Sequence, residues 1–245
     1  GIFFYDVERS TLRGDSVTLC GAHGFLLAYN SETNTVTGCV SSRNLGNGFR
    51  MGEYNNTVTQ SMAVSNVTAG IYLDLGNGNS ATNNVSTSNG GAGIYLDLHK
   101  KATISGNTCN SNSYGIAIQT SSSGNTVSSN TANSNSFGIY IASSSGNTVS
   151  SNTTMSNSSR GIWVYAGANN TVTGNTTTSN NYGVHLESNS TGNTVSSNIA
   201  KSNLYGIRLE TNCDTNRVIN NVFNSNTLYG IHVVSSSNNA FSQNE

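Results

Sequence analysis

The chain contains no proline, and only 9% of its 245 residues are charged. Residues 102–159 hold no Asp, Glu, Lys or Arg at all, so solubility there rests on Asn, Ser and Thr. Disordered tracts usually join low hydrophobicity to high net charge and abundant Pro, Glu and Lys. A net charge of −1 without proline does not fit that class. There is no basic run or stripe to neutralise phosphates, which argues against a nucleic-acid partner. No apolar run approaches the ~20 residues that span a bilayer. The chain opens Gly-Ile-Phe-Phe-Tyr-Asp, with neither Met nor a signal segment, as a processed or trimmed product would.

Cysteine is sparse too. Cys20, Cys39, Cys109 and Cys213 lie far apart without C-x-x-C spacing, which disfavours structural zinc. Disulfides and small buried hydrophobes are both open readings for them. Asn-x-Ser/Thr sequons occur at Asn55, Asn66, Asn84, Asn152, Asn157, Asn169, Asn175 and Asn189. They are candidate N-glycosylation sites and permit an extracellular or cell-surface location.

What the chain does have is a period. Gly followed by a large apolar residue recurs at Gly1, Gly24, Gly48, Gly70, Gly93, Gly115, Gly138, Gly161, Gly183, Gly206 and Gly230, always 22 to 24 residues apart. An apolar column moves with it: Val58, Ile104, Val127, Val149, Val172, Val195, Val218 and Phe241. Three residues later comes an Asn column from Asn107 to Asn244, and a second, from Asn112 to Asn226, precedes the glycine. Within a repeat, Ile139 and Ile141 alternate with Tyr140 and Ala142, a period of two that reads as strand. No segment has helical periodicity. Short strands joined by Gly/Asn/Ser corners predict an all-β, single-stranded parallel β-helix of about eleven ~23-residue coils. It forms a single domain over 1–245, either complete or a segment of a longer chain. At ~4.8 Å per coil the rod is about 50 Å long. Asn is expected at left-handed corners and in amide ladders, and the repeat glycine at a positive-φ turn.

The pattern G-N-T-V-S-x-N-T-x-x-S-N-x-x-G-I-x-I resembles the right-handed parallel β-helix repeats of NosD-type and carbohydrate-binding or sugar-hydrolase proteins. The resemblance covers essentially the whole chain and is strongest from Gly93 to Ser242. It implies the fold and a surface-protein-like character, not a particular reaction.

If Ile139 and Ile141 point inward, their neighbours form one distinctive outer face. It carries Tyr72, Tyr95, Tyr140, Trp163, Tyr165, His185, Arg208 and His232, a candidate ligand or partner face. Asp74 with Asp97, and Glu187 with Glu210, fall at equal positions on neighbouring coils, about 5 Å apart. Such pairs suit a retaining glycosidase, a Ca²⁺ site or a repelling pair with one raised pKa. Ladders that merely stabilise the sheet are the plainest reading, and recognition of a glycan or a second subunit is the next. Against catalysis, the Asp-Asp, Gly-His-Gly and Arg-Ile-Lys signatures of related polygalacturonases are missing; Ala22-His23-Gly24 is only a fragment. The nearly constant coil length also leaves no long loops to build a cleft. His185 and His232 lie two coils apart, roughly 9–10 Å, too far to share an ion, so no metal site is expected. Ca²⁺ is the one cofactor the acid pairs would suit.

Gly1 enters directly on an apolar coil containing Phe3, Phe4 and Tyr5, and the last residues stop short of the next repeat glycine. That predicts a segment of a longer chain, or ends that stack on other copies. The favoured reading is an extracellular structural or surface protein that self-associates into filaments or a sheath, or is adhesive. It leans away from an enzyme. The alternative is a polysaccharide-binding or polysaccharide-degrading β-helix, a lyase or glycosidase. Val149→Asp is expected to disrupt folding and Ser144→Asp, at a corner, to be nearly silent.

Overall fold

The computed structural model describes residues 1–245, which form strands and turns and no helix. Two parallel sheets of eleven strands run the length of the rod. The front sheet starts at Ile2–Tyr5 and ends at Tyr229–Val234; the second starts at Thr11–Arg13 and ends at Ala240–Ser242. A third face carries a four-stranded sheet from Ser16–Thr18 to Val85–Thr87 and a three-stranded sheet from Thr153–Met155 to Ile199–Lys201. Single bridges through Thr108 and Thr131 join the two. Every pairing is parallel and matches one repeat to the next, as in Ile116 with Ile139 with Ile162. The architecture is the right-handed parallel β-helix expected, the hand being that of β-crossover-β connections generally.

The alternation is also as expected. Ile139, Ile141, Val127 and Val149 are fully buried, and the core cluster of 35 residues runs through the coils as one thin column. Phe241 keeps its register opposite Val218 but is 39% exposed, because no coil covers it.

Two expectations about the corners are corrected. None of the repeat glycines has a positive φ; that conformation belongs to a different column, such as Gly124 at +67°. The repeat glycine instead points inward where coils crowd. A Cβ on Gly183 would lie 2.5 Å from the carbonyl oxygen of Gly206 and 2.7 Å from Thr177 Oγ1. The ladder asparagines are not left-handed either. The residue before them is, most often serine, as at Ser129, Ser151 and Ser197, with φ 57°, 56° and 55°. Each such residue costs about 1 kcal/mol or more, which the surrounding ladder must offset.

The asparagines do that. Asn152 shows the pattern: its Oδ1 accepts from the backbone N–H and the side-chain amide of Asn130 at 2.9 and 3.0 Å. Its Nδ2 donates back to Val127 O at 2.9 Å and onward to Asn175 Oδ1 at 3.0 Å. One side chain thus ties three coils. Both expected ladders exist, and a third runs through Asn34, Asn56 and Asn79, then from Asn125 to Asn239. This third ladder was readable in the Asn of each G-N-T-V.

These ladders remove five of the eight candidate glycosylation sites. Asn66, Asn84, Asn152, Asn157 and Asn175 are at most 2% exposed with their amide nitrogens engaged, so no glycan can be carried there in the folded chain. Asn55, Asn169 and Asn189 are exposed corner residues. Ser144 is likewise no silent corner: it is buried, accepts from Ser122 N–H and donates to Ala142 O. All four cysteines are free thiols, three of them buried.

Candidate functional site

The outer face of the front sheet divides into two lengths. In the C-terminal half, the residue just before the repeat glycine is large: Tyr114, Phe137, Arg160, Tyr182, Tyr205 and Tyr229. This column was not singled out in the sequence, although its place beside the glycine is as regular as any other. It packs sideways on the expected column and fills the face. Tyr114 stacks on Tyr140 with centroids 5.3 Å apart, Tyr140 on Trp163 at 4.4 Å, and the Arg160 guanidinium lies 4.0 Å over the Trp163 ring. Tyr182 continues the pile onto His185, and Tyr205 onto His232.

In the N-terminal half that column is small or polar, with His23, Asn47, Ala69 and Ala92. The step down leaves a trough of about 590 Å³. One wall is the Tyr72–Tyr95 stack, with centroids 5.1 Å apart. Its floor includes Ala69, Ala92 and Gly91, Tyr114 stands at one end, and His23 at the other. From His23 to Tyr114 is four coil intervals, roughly 19 Å. The tyrosine hydroxyls are fixed: Tyr72 donates to Asp97 Oδ2 at 3.0 Å and Tyr95 to Gln119 Oε1 at 3.3 Å. Burial pushes both phenol pKa values up, so they stay neutral donors. Of the eight residues expected on the ligand face, only Tyr72 and Tyr95 line this trough.

The acid pairs are in the expected register, Asp74 opposite Asp97 and Glu187 opposite Glu210. None is a bare carboxylate. Asp74, only 6% exposed, accepts from Arg50 Nη2 at 2.6 Å and Nε at 3.0 Å. Glu187 accepts from Arg160 at 3.1 Å, and Glu210 pairs with Arg208.

His185 departs from its expected role on the ligand face, because it is fully buried under Tyr182. Arg160 Nε donates to its Nδ1 at 2.7 Å, which places the ring proton on Nε2, 3.0 Å from Glu210 Oε1. Burial and the two flanking guanidinium groups hold its pKa near 3. His185, Glu187 and Glu210 bring their ligand atoms within 4.8 Å of one another, at a place where the sequence predicts no metal site. Both imidazole nitrogens are already used, and Arg160 and Arg208 already pair the carboxylates. As a donor set it suits an internal ion-pair network better than a metal.

His99 is the other buried imidazole. It takes a corner position that Ser122 and Ser144 fill on the next coils, and neither ring nitrogen has a hydrogen-bond partner. Burial lowers its pKa to about 4, opposed weakly by Asp74. The unfolded chain binds protons at both histidines near pH 6.5, whereas the folded chain resists until about pH 4 and pH 3. Stability is therefore full above pH 6.5 and lost on acidification through that window, by about 1.4 kcal/mol per pH unit for each histidine. Urea midpoints should hold between pH 7.5 and 6.5 and fall steadily from there to pH 4.5, and His99→Ser should flatten the slope. A profile unchanged by pH would contradict these assignments.

Several solved structures share the fold. The periplasmic alginate epimerase AlgG is 16% identical, with a TM-score of 0.68 over 98% of this chain and 75% of its own. The A-module of the mannuronan C-5 epimerase AlgE6 of Azotobacter vinelandii is 17% identical, with a TM-score of 0.67 over 99% of this chain and 74% of its own. The Dettilon tailspike protein is 16% identical, with a TM-score of 0.68 over 95% of this chain and 60% of its own. At these identities the likeness shows the fold alone. No curated protein matches in sequence. A family described as "Periplasmic copper-binding protein (NosD)" matches over residues 1–131, 39–199 and 148–245. Those segments span the full length, and the chain belongs to the NosD family.

Proposed function

We propose that this chain is a polysaccharide-binding β-helix protein that holds an extended sugar chain in the trough beside Tyr72 and Tyr95. The observation that carries the reading is the trough itself: open, elongated, and lined by three tyrosines, alanines, glycines and a few fixed polar groups. Its volume falls within the range of small-ligand sites. Aromatic side chains with anchored hydroxyls present apolar surface to sugar C–H groups and polar tips to sugar hydroxyls. The structural relatives named above include two epimerases of polysaccharides, which supports the carbohydrate alternative over a self-associating surface rod. Binding is favoured over turnover because Asp74, Glu187 and Glu210 are tied to arginine and Asp97 to Tyr72. A periplasmic setting accords with the family description.

Copper, which that description names, does not fit the donors present. Met51 and three of the cysteines are each buried in the core, and Met62 and Met155 are exposed on the third face. The only histidine grouped with two other ligand side chains is His185, whose two nitrogens are taken. Soft thioether, thiolate and imidazole groups are nowhere gathered as Cu(I) or Cu(II) requires.

Affinity electrophoresis through a panel of polysaccharide gels tests the reading. Tyr95→Ala and Tyr114→Ala should each weaken retardation about tenfold, the loss of roughly one stacking contact. Met155→Ala, on the third face, should not. Retardation by no polysaccharide, or equal loss in all three variants, would end the proposal.

A further inference from the structure

The chemistry of the trough also points to the class of sugar. Its lining contains no Asp, Glu, Lys or Arg, and its one ionisable base is His23. His23 Nδ1 accepts from the Asn47 backbone N–H at 3.0 Å, which places the ring proton on Nε2. That Nε2–H lies 3.5 Å from Arg50 Nη1. Two donors facing each other cannot satisfy each other. The other nitrogens of Arg50, Nε and Nη2, are committed to Asp74. Arg50 is not itself part of the lining but borders it beside His23 and Tyr72, 5.7 Å from the Tyr72 ring centroid, so His23 and Arg50 form a two-donor fork at the rim of the trough, suited to one incoming oxygen atom.

The fixed charges around the trough say what that oxygen belongs to. Arg50 is neutralised by Asp74, and Asp97 stands behind Tyr72 with no cation of its own. Asp97 Oδ1 is buried without a hydrogen-bond partner, so the carboxylate behind Tyr72 is not compensated by any cation. Along about four coils the wall thus offers no net positive charge. A polyuronate would bring a carboxylate with every sugar, find no free cation in the lining, and face the uncompensated charge of Asp97 across the Tyr72 hydroxyl, where like charges disfavour binding by about several-fold to tenfold. Burial beside Arg50 also keeps His23 uncharged at neutral pH, so it adds no cation.

Resting on the polysaccharide-binding reading above, we infer that the trough takes a neutral, hydroxyl-only glycan, with one sugar hydroxyl oxygen bound by His23 Nε2–H and Arg50 Nη1–H. The acidic polysaccharides of the epimerases that share this fold are the class it excludes.

Isothermal titration of the intact chain with neutral gluco- and manno-oligosaccharides, and with oligomannuronate and oligogalacturonate of equal length, decides the matter. The neutral sugars should bind at least about tenfold more tightly, with an affinity insensitive to added salt. In Asp97→Asn, with folding checked by circular dichroism, the preference for neutral over acidic sugar should shrink about tenfold. Tighter binding of the uronates, weakening with salt, would overturn the inference while leaving the polysaccharide reading standing. Binding of neither class would overturn both.

Discussion

Val149→Asp is expected to leave the chain largely unfolded at room temperature. Val149 is fully buried in the second sheet, between Val127 and Val172, in a stretch without a single charged side chain. A carboxylate there has no cation to pair with and no room for water. It must either ionise unpaired or take up a proton at a strongly raised pKa, at a cost of several kcal/mol. Natural domains are stable by only about 5–15 kcal/mol, so one such change consumes much of the margin. Ser158 is the proper control, since it is exposed and only its backbone is engaged, the N–H donating to Asn135 O and the carbonyl accepting from Asn181 Nδ2. Ser158→Asp should shift the urea midpoint little. Equal losses in both variants would mean that the inward column has been misassigned.

Asn152→Ala should cost nearly as much, for a different reason. It removes no charge and little volume, yet it strands groups on both neighbouring coils. Asn130 loses the acceptor for its backbone N–H and its side-chain amide, Val127 O loses a donor, and Asn175 Oδ1 loses one of two. Each stranded buried group costs about 1–3 kcal/mol, partly recovered by relaxation, so a loss of about 3–5 kcal/mol is expected. Asn152→Asp should be no better, because a carboxylate keeps the acceptors and loses both donors. Amide exchange would show the damage spreading to residues of the coils on either side. Protection unchanged outside the substituted coil would show that the ladder does not couple coils.

Much of the fold was legible because stacking forces like onto like. Val127, Ile139, Ile141 and the columns of Asn130 and Asn135 were placed by counting alone, since a parallel coil translates the sequence period directly into contact. Counting could not tell why a residue recurs. The repeat glycine looked like a turn residue and is a packing residue, because both uses leave the same mark in a sequence. Sequons at Asn152 and Asn175 looked like surface features, since a ladder amide and a glycan acceptor are the same side chain.

The candidate site was harder to read for a related reason. The outward column was found, but its neighbour before the glycine was not, and the trough exists only as the difference between the two. Ala69 and Ala92 carry no chemistry of their own; they matter because Tyr114 and Phe137 fill the same place further along. His185 was misread by the same logic. Period two placed it outward correctly, but Tyr182 and Arg160, which cover it, come from that overlooked column.

The amide ladders have one further consequence. In all three, each onward hydrogen bond runs the same way, from a side-chain nitrogen on one coil to a side-chain oxygen on the next toward the C-terminus. Every ladder oxygen therefore faces the first coil, and the amide dipoles add instead of cancelling. The rod is electrically polarised along its length, more negative toward its N-terminal end, in the manner of an α-helix reversed. A molecule lying along the trough would feel a direction as well as a shape.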